Sequence, residues 1–187
     1  MKTLVEHLES FLGQIGFGWK DSDGTQWPFQ VLRFLEGPIA NCVTYSTLGL
    51  SDFALQSTVS SKQIRHELLL MARPIFCDRN IPAVLHQVGM EAVKSENAYS
   101  RGDIVGPRGT LISGTQMEAF YVSMPAYLPD DFATFESPEG ISSVIAWLVP
   151  ITFNEAHFVK SNGWEAFEER LCEVDPDLLD LNRPSIV

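Results

Sequence analysis

Apolar residues are most concentrated in two segments of the first half of the chain, separated by a mostly polar stretch. Residues 42–45 are of types that fit a pleated, half-buried strand. Residues 68–72 form an apolar run that is too short for a globular helix and stops just before an arginine–proline pair, so they predict a buried strand. Together the segments predict a β-hairpin at the centre of a sheet, with a bend at Gly49 and a long exposed connection over residues 51–63.

Helical spacing of apolar residues predicts three helices, at residues 3–15, at residues 81–98, and from an N-cap at Asn154 to about Val174. Thr3 and Glu6 have the spacing of a capping box, in which each side chain satisfies a free backbone amide of the first turn. A glycine after Asn162 is expected to divide the third helix in two.

Further apolar segments predict strands at residues 31–35, 110–113, 119–124 and 144–151. The remainder of residues 17–41 is rich in turn signals, of which the strongest is residues 21–24. That turn resembles a calcium loop at three positions, but Leu32 stands where the closing glutamate is required, so a plain turn is predicted. This order of elements predicts an α+β fold, with a central mixed, mostly antiparallel sheet flanked by helices.

Several short motifs recur in an order that is typical of one family. They are Ser46-Thr47-Leu48-Gly49-Leu50-Ser51, His66-Glu67-Leu68, Trp147-Leu148-Val149-Pro150-Ile151 with Asn154-Glu155, and Asp180-Leu181-Asn182-Arg183. Their order and spacing resemble the bacterial members of the suppressor-of-fused domain family, and the resemblance covers most of the chain. Gly102-Asp103 resembles a glycine–aspartate pair that is common in that family. The resemblance implies one domain of residues 1–187 and, in bacteria, an immunity protein that neutralises a cognate toxin.

Negative charge is concentrated in the last third of the chain. The net charge is −11, and residues 127–187 contain 12 acidic and 3 basic side chains. Such a surface repels nucleic-acid phosphates and anionic membranes and attracts basic proteins, so we expect a protein partner and neither nucleic-acid nor membrane binding. The alternative is that the acidity serves only solubility.

Two sets of residues in this last third are candidates for binding a basic partner. The first comprises the carboxylates Glu168, Glu169, Asp175, Asp177 and Asp180. The second comprises Tyr127, Phe132 and Phe135, which alternate with acidic residues in a proline-rich segment. Aromatic side chains of this kind either anchor an interface or fold back to seal the hydrophobic core, and the sequence leaves both alternatives open.

The sequence shows no catalytic or metal-binding motif. The histidines and cysteines lack the spacing of zinc ligands, and His66 and Glu67 are adjacent in a predicted strand, where they point to opposite faces. We therefore expect a non-catalytic protein without a cofactor. A hydrolase that uses Glu67 and Glu155 is one alternative, and a regulatory scaffold that binds a peptide strand at a sheet edge is another.

The cysteines and the apolar runs bear on the cellular compartment. Three widely spaced cysteines among apolar residues predict buried thiols in a reducing compartment. The N-terminal segment carries Glu6 and Glu9 within its apolar pattern, unlike a secretory signal, and no apolar run is long enough to span a bilayer. A cytoplasmic location is expected.

Overall fold

The computed structural model describes residues 2–22, 24–77 and 80–187. Its four α-helices in this part of the chain are α1 (Leu4–Leu12), α2 (Ile81–Ser95), α3 (Phe153–Asn162) and α4 (Trp164–Val174). The strands are β1 (Ile15–Ser22), β2 (Thr25–Phe34), β3 (Val43–Leu48), β4 (Leu55–Gln56), β5 (Gln63–Ile64), β6 (His66–Ala72), β7 (Ile104–Val105), β8 (Met117–Ser123), β9 (Thr134–Glu136) and β10 (Ser142–Thr152).

Eight of these strands form one sheet, in the order β1-β2-β3-β6-β10-β8-β7, and β9 pairs with the beginning of β10. Every pairing in the sheet is antiparallel except that of β6 with β10, which is parallel. The short strands β4 and β5 pair separately. The sheet is therefore mixed and mostly antiparallel, as predicted.

The predicted central hairpin is confirmed, because β3 and β6 pair antiparallel in the middle of the sheet. All seven residues of β6 are buried. Leu68 and Leu70 face one layer of core together with residues of α2, whereas Leu69 and Met71 face a second layer with residues of α1, α3 and α4. A strand that is covered on both faces needs apolar residues at consecutive positions, which explains the uninterrupted apolar run.

The bend at Gly49 is also confirmed. Gly49 follows β3 with a φ of +95°, in the left-handed region that residues with a Cβ atom rarely adopt. Its backbone amide donates a hydrogen bond of 2.9 Å to a carboxylate oxygen of Glu67. The glycine therefore allows the chain to turn back over the buried start of β6.

The structure corrects the prediction that residues 17–41 are mainly turns. They contain most of β1 and β2, a hairpin whose pairing has two register shifts, between Ile15 and Phe17 and between Trp19 and Asp21. These irregularities interrupt the alternation of side chains that marks a strand in a sequence. Of the predicted turn at residues 21–24, residue 23 lies outside the described residues.

Three other local predictions were wrong. Residues 110–113 form turns and not a strand, since Leu111 and Thr115 make local backbone hydrogen bonds. The connection after β3 is not wholly exposed, because Ser51, Leu55 and Ser57 are buried. The N-cap of α3 is Thr152 and not Asn154; Thr152 and Glu155 form the capping box.

The remaining helix predictions agree with the structure. Thr3 and Glu6 form the predicted capping box of α1, and Gly163 separates α3 from α4. Across the described ranges, no helix combines the length and the apolar character that a bilayer span requires. The prediction that the thiols are buried holds for Cys42 but was wrong for Cys172, which is exposed.

Candidate functional site

A groove of about 300 Å³ lies between α4, the end of β8 and the middle of β10. We call it the α4 groove and define it by the following lining residues, which are mainly apolar and aromatic: Tyr121, Tyr127, Trp147, Val149, Leu171, Cys172 and Leu178, with the charged residues Arg101, Glu168 and Asp175. An apolar concavity with a few charged groups is the usual form of a binding site in a protein.

The strand register explains the apolar side of the groove. Val149 of β10 pairs with Tyr121 of β8, and Trp147 lies two residues before Val149, so all three side chains lie on one face of the sheet. The Trp147 side chain is almost fully buried, and the ring of Tyr127 lies over it with a centroid distance of 5.1 Å. Tyr127 itself is 41% exposed and so forms an accessible wall.

The helical period of α4 explains the opposite side of the groove. Phe167 is fully buried against the sheet, and Leu171, one turn later, lines the groove. Glu165 and Glu169 lie on the exposed side of the helix. The helix ends at Asp175, which has a positive φ of 46° and precedes Pro176, so the chain turns and brings Leu178 to the groove.

One charged network joins α4 to the sheet. Arg101 donates two hydrogen bonds to Glu168, of 3.0 Å from Nε and 2.5 Å from a terminal nitrogen, and the Tyr121 hydroxyl donates a bond of 2.6 Å to the same carboxylate. The guanidinium also lies 5.1 Å from the centroid of the Trp164 ring. A Cβ atom at Gly102 would approach that ring to 2.6 Å, so glycine is needed beside Arg101.

These contacts shift the pKa values of Glu168 and Tyr121 in the groove. Burial disfavours the charged form of Glu168, but the hydrogen bonds from Arg101 and Tyr121 outweigh it and hold the pKa of the carboxyl below its usual value. Burial also raises the pKa of Tyr121, and the bond to Glu168 raises it further. At neutral pH the groove therefore contains an ionised Glu168, a charged Arg101 and a neutral Tyr121.

A shallower depression of about 560 Å³ adjoins the groove along α4. It shares Arg101, Glu168 and Cys172 with the groove and is otherwise lined by Trp164 and three more acidic residues: Glu165, Glu169 and Glu173. The groove and this depression together contain five carboxylates and one guanidinium. The surface of α4 is thus strongly negative around an apolar recess.

The structure brings together only some of the residues predicted to bind a partner. Tyr127, Glu168 and Asp175 line the α4 groove, and Glu169 lines the adjoining depression. Asp177 instead forms an ion pair with Arg73 at 2.8 Å, and Asp180 accepts a bond of 2.9 Å from the Asn182 amide in a local turn. The binding role of all these carboxylates stays a prediction.

Phe132 and Phe135 lie elsewhere, inside the core. Phe132 is fully buried in the core layer that includes Leu8 of α1, and Phe135 is 8% exposed with its ring 5.4 Å from that of His7. His7 of α1 stacks parallel to Phe132 with a centroid distance of 5.9 Å. In this conformation both phenylalanines seal the hydrophobic core, and neither presents its ring to a partner. Of the two alternatives left open by the sequence, the structure therefore shows core packing and not an exposed anchor for these two residues. Of the three aromatic candidates, only Tyr127 is exposed.

Sequence reasoning missed the residues that complete the groove, namely Arg101, Trp147 and Leu178. The sequence placed Trp147 in the predicted strand of residues 144–151, and Arg101 directly precedes Gly102. The local signal for Arg101 was its position beside Gly102, a glycine that a larger residue cannot replace. The contact partner of Arg101 lies 67 residues away in the chain, so no local pattern could identify it.

The two carboxylates of the alternative hydrolase do not form a common site. Glu67 is fully buried and accepts hydrogen bonds from Thr47, Gly49 and Ser51, while burial raises the pKa of its carboxyl. Glu155, also fully buried, accepts bonds from Arg183 and from the start of α3. The two carboxylates share no hydrogen-bond partner, and each has a structural one.

The predicted separation of His66 and Glu67 agrees with their contacts. The ring of His66 stacks on Tyr99 at 5.9 Å, whereas Glu67 contacts Thr47 and Ser51. Within residues 2–22, 24–77 and 80–187, no three His, Cys, Asp or Glu side chains are grouped so as to hold a metal ion. The α4 groove is therefore the strongest candidate site in the described part of the molecule.

The protein is of the α+β class. Its mixed eight-stranded sheet has one core layer under α2 and another under α1, α3 and α4, and a recess lies at α4. The model of the family Suppressor of fused protein (SUFU) matches residues 25–184, and the chain belongs to that family. The family resemblance of the sequence motifs is thereby confirmed. No curated protein matches the chain by sequence.

Solved structures share this fold at low sequence identity. A crystal structure of a SUFU homolog from Neisseria gonorrhoeae FA 1090 is 20% identical, with a TM-score of 0.75 over 97% of this chain and 93% of that one. The Sufu–Fu complex crystal structure contains a chain that is 13% identical, with a TM-score of 0.72 over 98% of this chain and 90% of that one. Drosophila Suppressor of Fused is 13% identical, with a TM-score of 0.64 over 87% of this chain and 44% of its own length.

Proposed function

We propose that this protein is a non-catalytic protein-binding domain of residues 1–187, and that it is a cytoplasmic immunity protein that neutralises a basic bacterial toxin. The observation that carries the proposal is the α4 groove, in which an apolar recess lies within an acidic surface. Apolar anchors provide most of the binding energy of an interface, and complementary charge speeds the encounter and selects the partner.

Family membership supports the binding part of the proposal. One similar solved structure, the Sufu–Fu complex, contains a protein of this fold together with a second protein. The charge distribution supports the basic partner, because 12 of the 24 acidic residues lie after residue 126 with only 3 basic ones. The toxin itself is proposed from the resemblance to bacterial members of the family.

The alternatives receive less support from the described residues. Glu67 and Glu155 are fully buried and held by structural hydrogen bonds, so neither carboxylate is accessible to a substrate in this conformation. Addition of a peptide strand would need an open sheet edge, but β1 at one edge has two register shifts and β7 at the other has two residues. Bulges and short strands are the features by which proteins block pairing at an edge.

The test begins with the reading frames adjacent to the gene, because immunity genes usually lie beside their toxin genes. Each basic product is purified and mixed with this protein, and we expect a stable complex by calorimetry together with loss of the product's toxicity in co-expressing cells. Toxicity that persists despite binding would reject the immunity function, and turnover of the partner by the purified protein would reject the non-catalytic one.

A further inference from the structure

We infer that the α4 groove receives an apolar side chain of the partner that is flanked by a lysine or an arginine, with the cationic group placed at the C-terminal end of α4. This inference rests on the proposed function, because it specifies the chemistry of the segment that a basic partner would insert. It concerns one recess of about 300 Å³, which is at the lower end of the range for ligand sites and suits a single large side chain.

The apolar part of the inference follows from the lining of the groove. Trp147, Val149, Leu171 and Leu178 come from three different segments of the chain and converge on one recess, and Tyr127 covers part of it. Burial of an apolar side chain there would remove this apolar surface from water, which is favourable. A polar or anionic group would gain no stabilisation of this kind.

The cationic part follows from charges that lack a counterion. Arg101 neutralises Glu168, and Arg170 pairs with Glu173. Glu165, Glu169 and Asp175, by contrast, make no ion pair within 4.0 Å among the described residues. A cation at Asp175, where α4 ends, would therefore meet a carboxylate whose charge is not already compensated, and the unpaired Glu169 adds to the negative charge along the helix.

The direction of α4 strengthens this argument. The C-terminus of a helix carries the negative end of the helix dipole, where proteins commonly place basic residues. The last turn of α4 has no basic residue but contains Glu173, and Asp175 follows directly. Because Arg170 pairs with Glu173, the helix dipole and Asp175 are the two uncompensated negative contributions at this point, and both would attract a cation.

A buried donor in the groove is a separate observation. The Trp147 side chain is 1% exposed and lines the recess, yet its indole Nε1 has no hydrogen-bond partner among the described residues. A buried N–H group without an acceptor costs free energy, and an occupant with an acceptor oxygen would remove that cost once Tyr127 moves aside. A peptide segment carries such an oxygen at every residue.

Charge excludes the other obvious occupant, a second copy of this chain. Two copies would each bring a net charge of −11, and their acidic faces would repel at moderate ionic strength. An anionic small molecule is disfavoured for the same reason. The groove therefore favours a basic protein segment over self-association.

The test uses three probes of similar size that differ in charge: 2-phenylethylammonium, 2-phenylethanol and 3-phenylpropionate. Each is titrated into ¹⁵N-labelled protein, and the Trp147 indole resonance is assigned with Trp147→Phe. We expect saturable shifts at Trp147 and Leu178, with the ammonium probe binding at least threefold more tightly than the alcohol and the carboxylate not binding. High salt should remove the difference between the ammonium and the alcohol.

Variants locate the cation. Glu169→Gln with Asp175→Asn should abolish the preference for the ammonium and leave the alcohol unaffected. The matched control is Glu136→Gln with Glu139→Gln, which removes the same charge from exposed residues outside the groove and should change nothing. Equal binding of the carboxylate, absence of saturable shifts, or a concentration-dependent dimer that the ammonium dissociates would each overturn the inference.

The partner assay separates this inference from the proposed function. If a partner binds but its affinity is the same for wild type and for the Glu169→Gln, Asp175→Asn variant, the inference is wrong and the binding function stands. If no basic partner binds and no toxin is neutralised, the proposed function is wrong, and the probe titration still decides what the groove accepts.

Discussion

Two arginine–glutamate pairs use the same chemistry in opposite surroundings. Arg183 and Glu155 are 3% and 0% exposed at the side chain, with a closest distance of 2.6 Å, whereas Arg101 and Glu168 are 52% and 20% exposed, with a closest distance of 2.5 Å. The carboxylate of Glu155 also accepts the backbone amides of Thr152 and Ile186, so it fixes the C-terminal segment to the start of α3. Among the described residues, the donors to Glu168 are the side chains of Arg101 and Tyr121.

The difference shows how burial decides the role of an ion pair. Removal of two charges from water is costly, and the buried pair compensates through additional hydrogen bonds that cannot be exchanged. The groove pair remains in contact with water, so each of its hydrogen bonds can be replaced by one from solvent or from a partner. The buried pair therefore serves stability, and the exposed pair is available for recognition.

The largest effect should follow from breaking the buried pair. Arg183→Leu leaves the Glu155 carboxylate buried without its counterion and should lower the free energy of unfolding by about 3–5 kcal/mol. Chemical denaturation measures the loss. Arg183→Lys is the control that keeps the charge without the forked geometry and should lose less. A loss below about 1 kcal/mol would show that the pair does not stabilise the fold.

Stability measured against pH can also distinguish the two ion pairs. A separate buried group, His66, contributes its own pH dependence and has to be measured first. His66 is 1% exposed, and burial lowers the pKa of its ring to about 4. The unfolded chain binds a proton near pH 6.5, so stability should fall as the pH drops from 6.5 towards 4, by about 3 kcal/mol. Denaturation at several pH values measures it.

The control for this titration is His66→Phe, which removes the titratable group and keeps an aromatic ring beside Tyr99. Between pH 6.5 and 4 the variant should lose much less stability than the wild type. Equal slopes in the two proteins would place the pH dependence elsewhere, for example at His7 or His86, where burial also lowers the pKa.

The groove pair should contribute much less to stability than the buried pair. Arg101→Leu should lower the free energy of unfolding by less than about 1 kcal/mol, because the guanidinium is half exposed. Arg108→Leu is a matched control, since Arg108 pairs with Glu91 at similar exposure. A loss as large as that of Arg183→Leu would contradict the distinction between the two pairs.

Arg101→Leu should also change the acid end of the stability curve. The lowered pKa of Glu168 stabilises the folded state above the ordinary pKa of the carboxyl, and this stabilisation is lost as the pH falls through the lowered value. Without Arg101 the pKa of Glu168 should rise towards or above its ordinary value, so the loss of stability on acidification should be smaller in the variant than in the wild type. Titration of the variant beside the wild type, both with His66→Phe, tests this.

Charge reversal on α4 should have the smallest effect on stability. Glu169→Lys with Asp175→Lys should change the free energy of unfolding by no more than about 0.5 kcal/mol, because both residues are exposed. Association with a basic partner should nevertheless slow markedly and lose its dependence on salt. Stopped-flow mixing measures the rate, and Glu136→Lys with Glu139→Lys is the control. Unchanged, salt-independent association would reject the acidic-surface hypothesis.

The centre of the fold could be predicted from the sequence because its signals are local. The apolar runs of β6 and β10 reflect burial on both faces, and the positive φ of Gly49 is a conformation that glycine readily adopts. The hairpin β1–β2 could not be predicted in the same way. Its register shifts break the alternation, and its stability comes from pairing with β3, which no local pattern reveals.

The site was predictable only in part for the same reason. The sequence named Glu168, Asp175 and Tyr127 as candidates from the acidic and aromatic character of the last third of the chain, and these three line the α4 groove, while their binding role stays a prediction. The sequence could not identify Trp147 as a groove residue or Phe132 as a core residue, since both assignments depend on which side chains lie opposite. Recognition residues that contact segments distant in the chain require the structure.

The parallel pairing of β6 with β10 has a consequence for biosynthesis. His66 lies opposite Val144, so the two central strands are 78 residues apart in the chain. At a translation rate of about 5–20 residues per second, β10 is synthesised roughly 4–16 s after β6. During that time the edge of β6, most of which is apolar, is open, and such edges pair readily with other chains. Aggregation of the nascent protein, and its prevention by chaperones, should therefore be decided while residues 73–143 are being made.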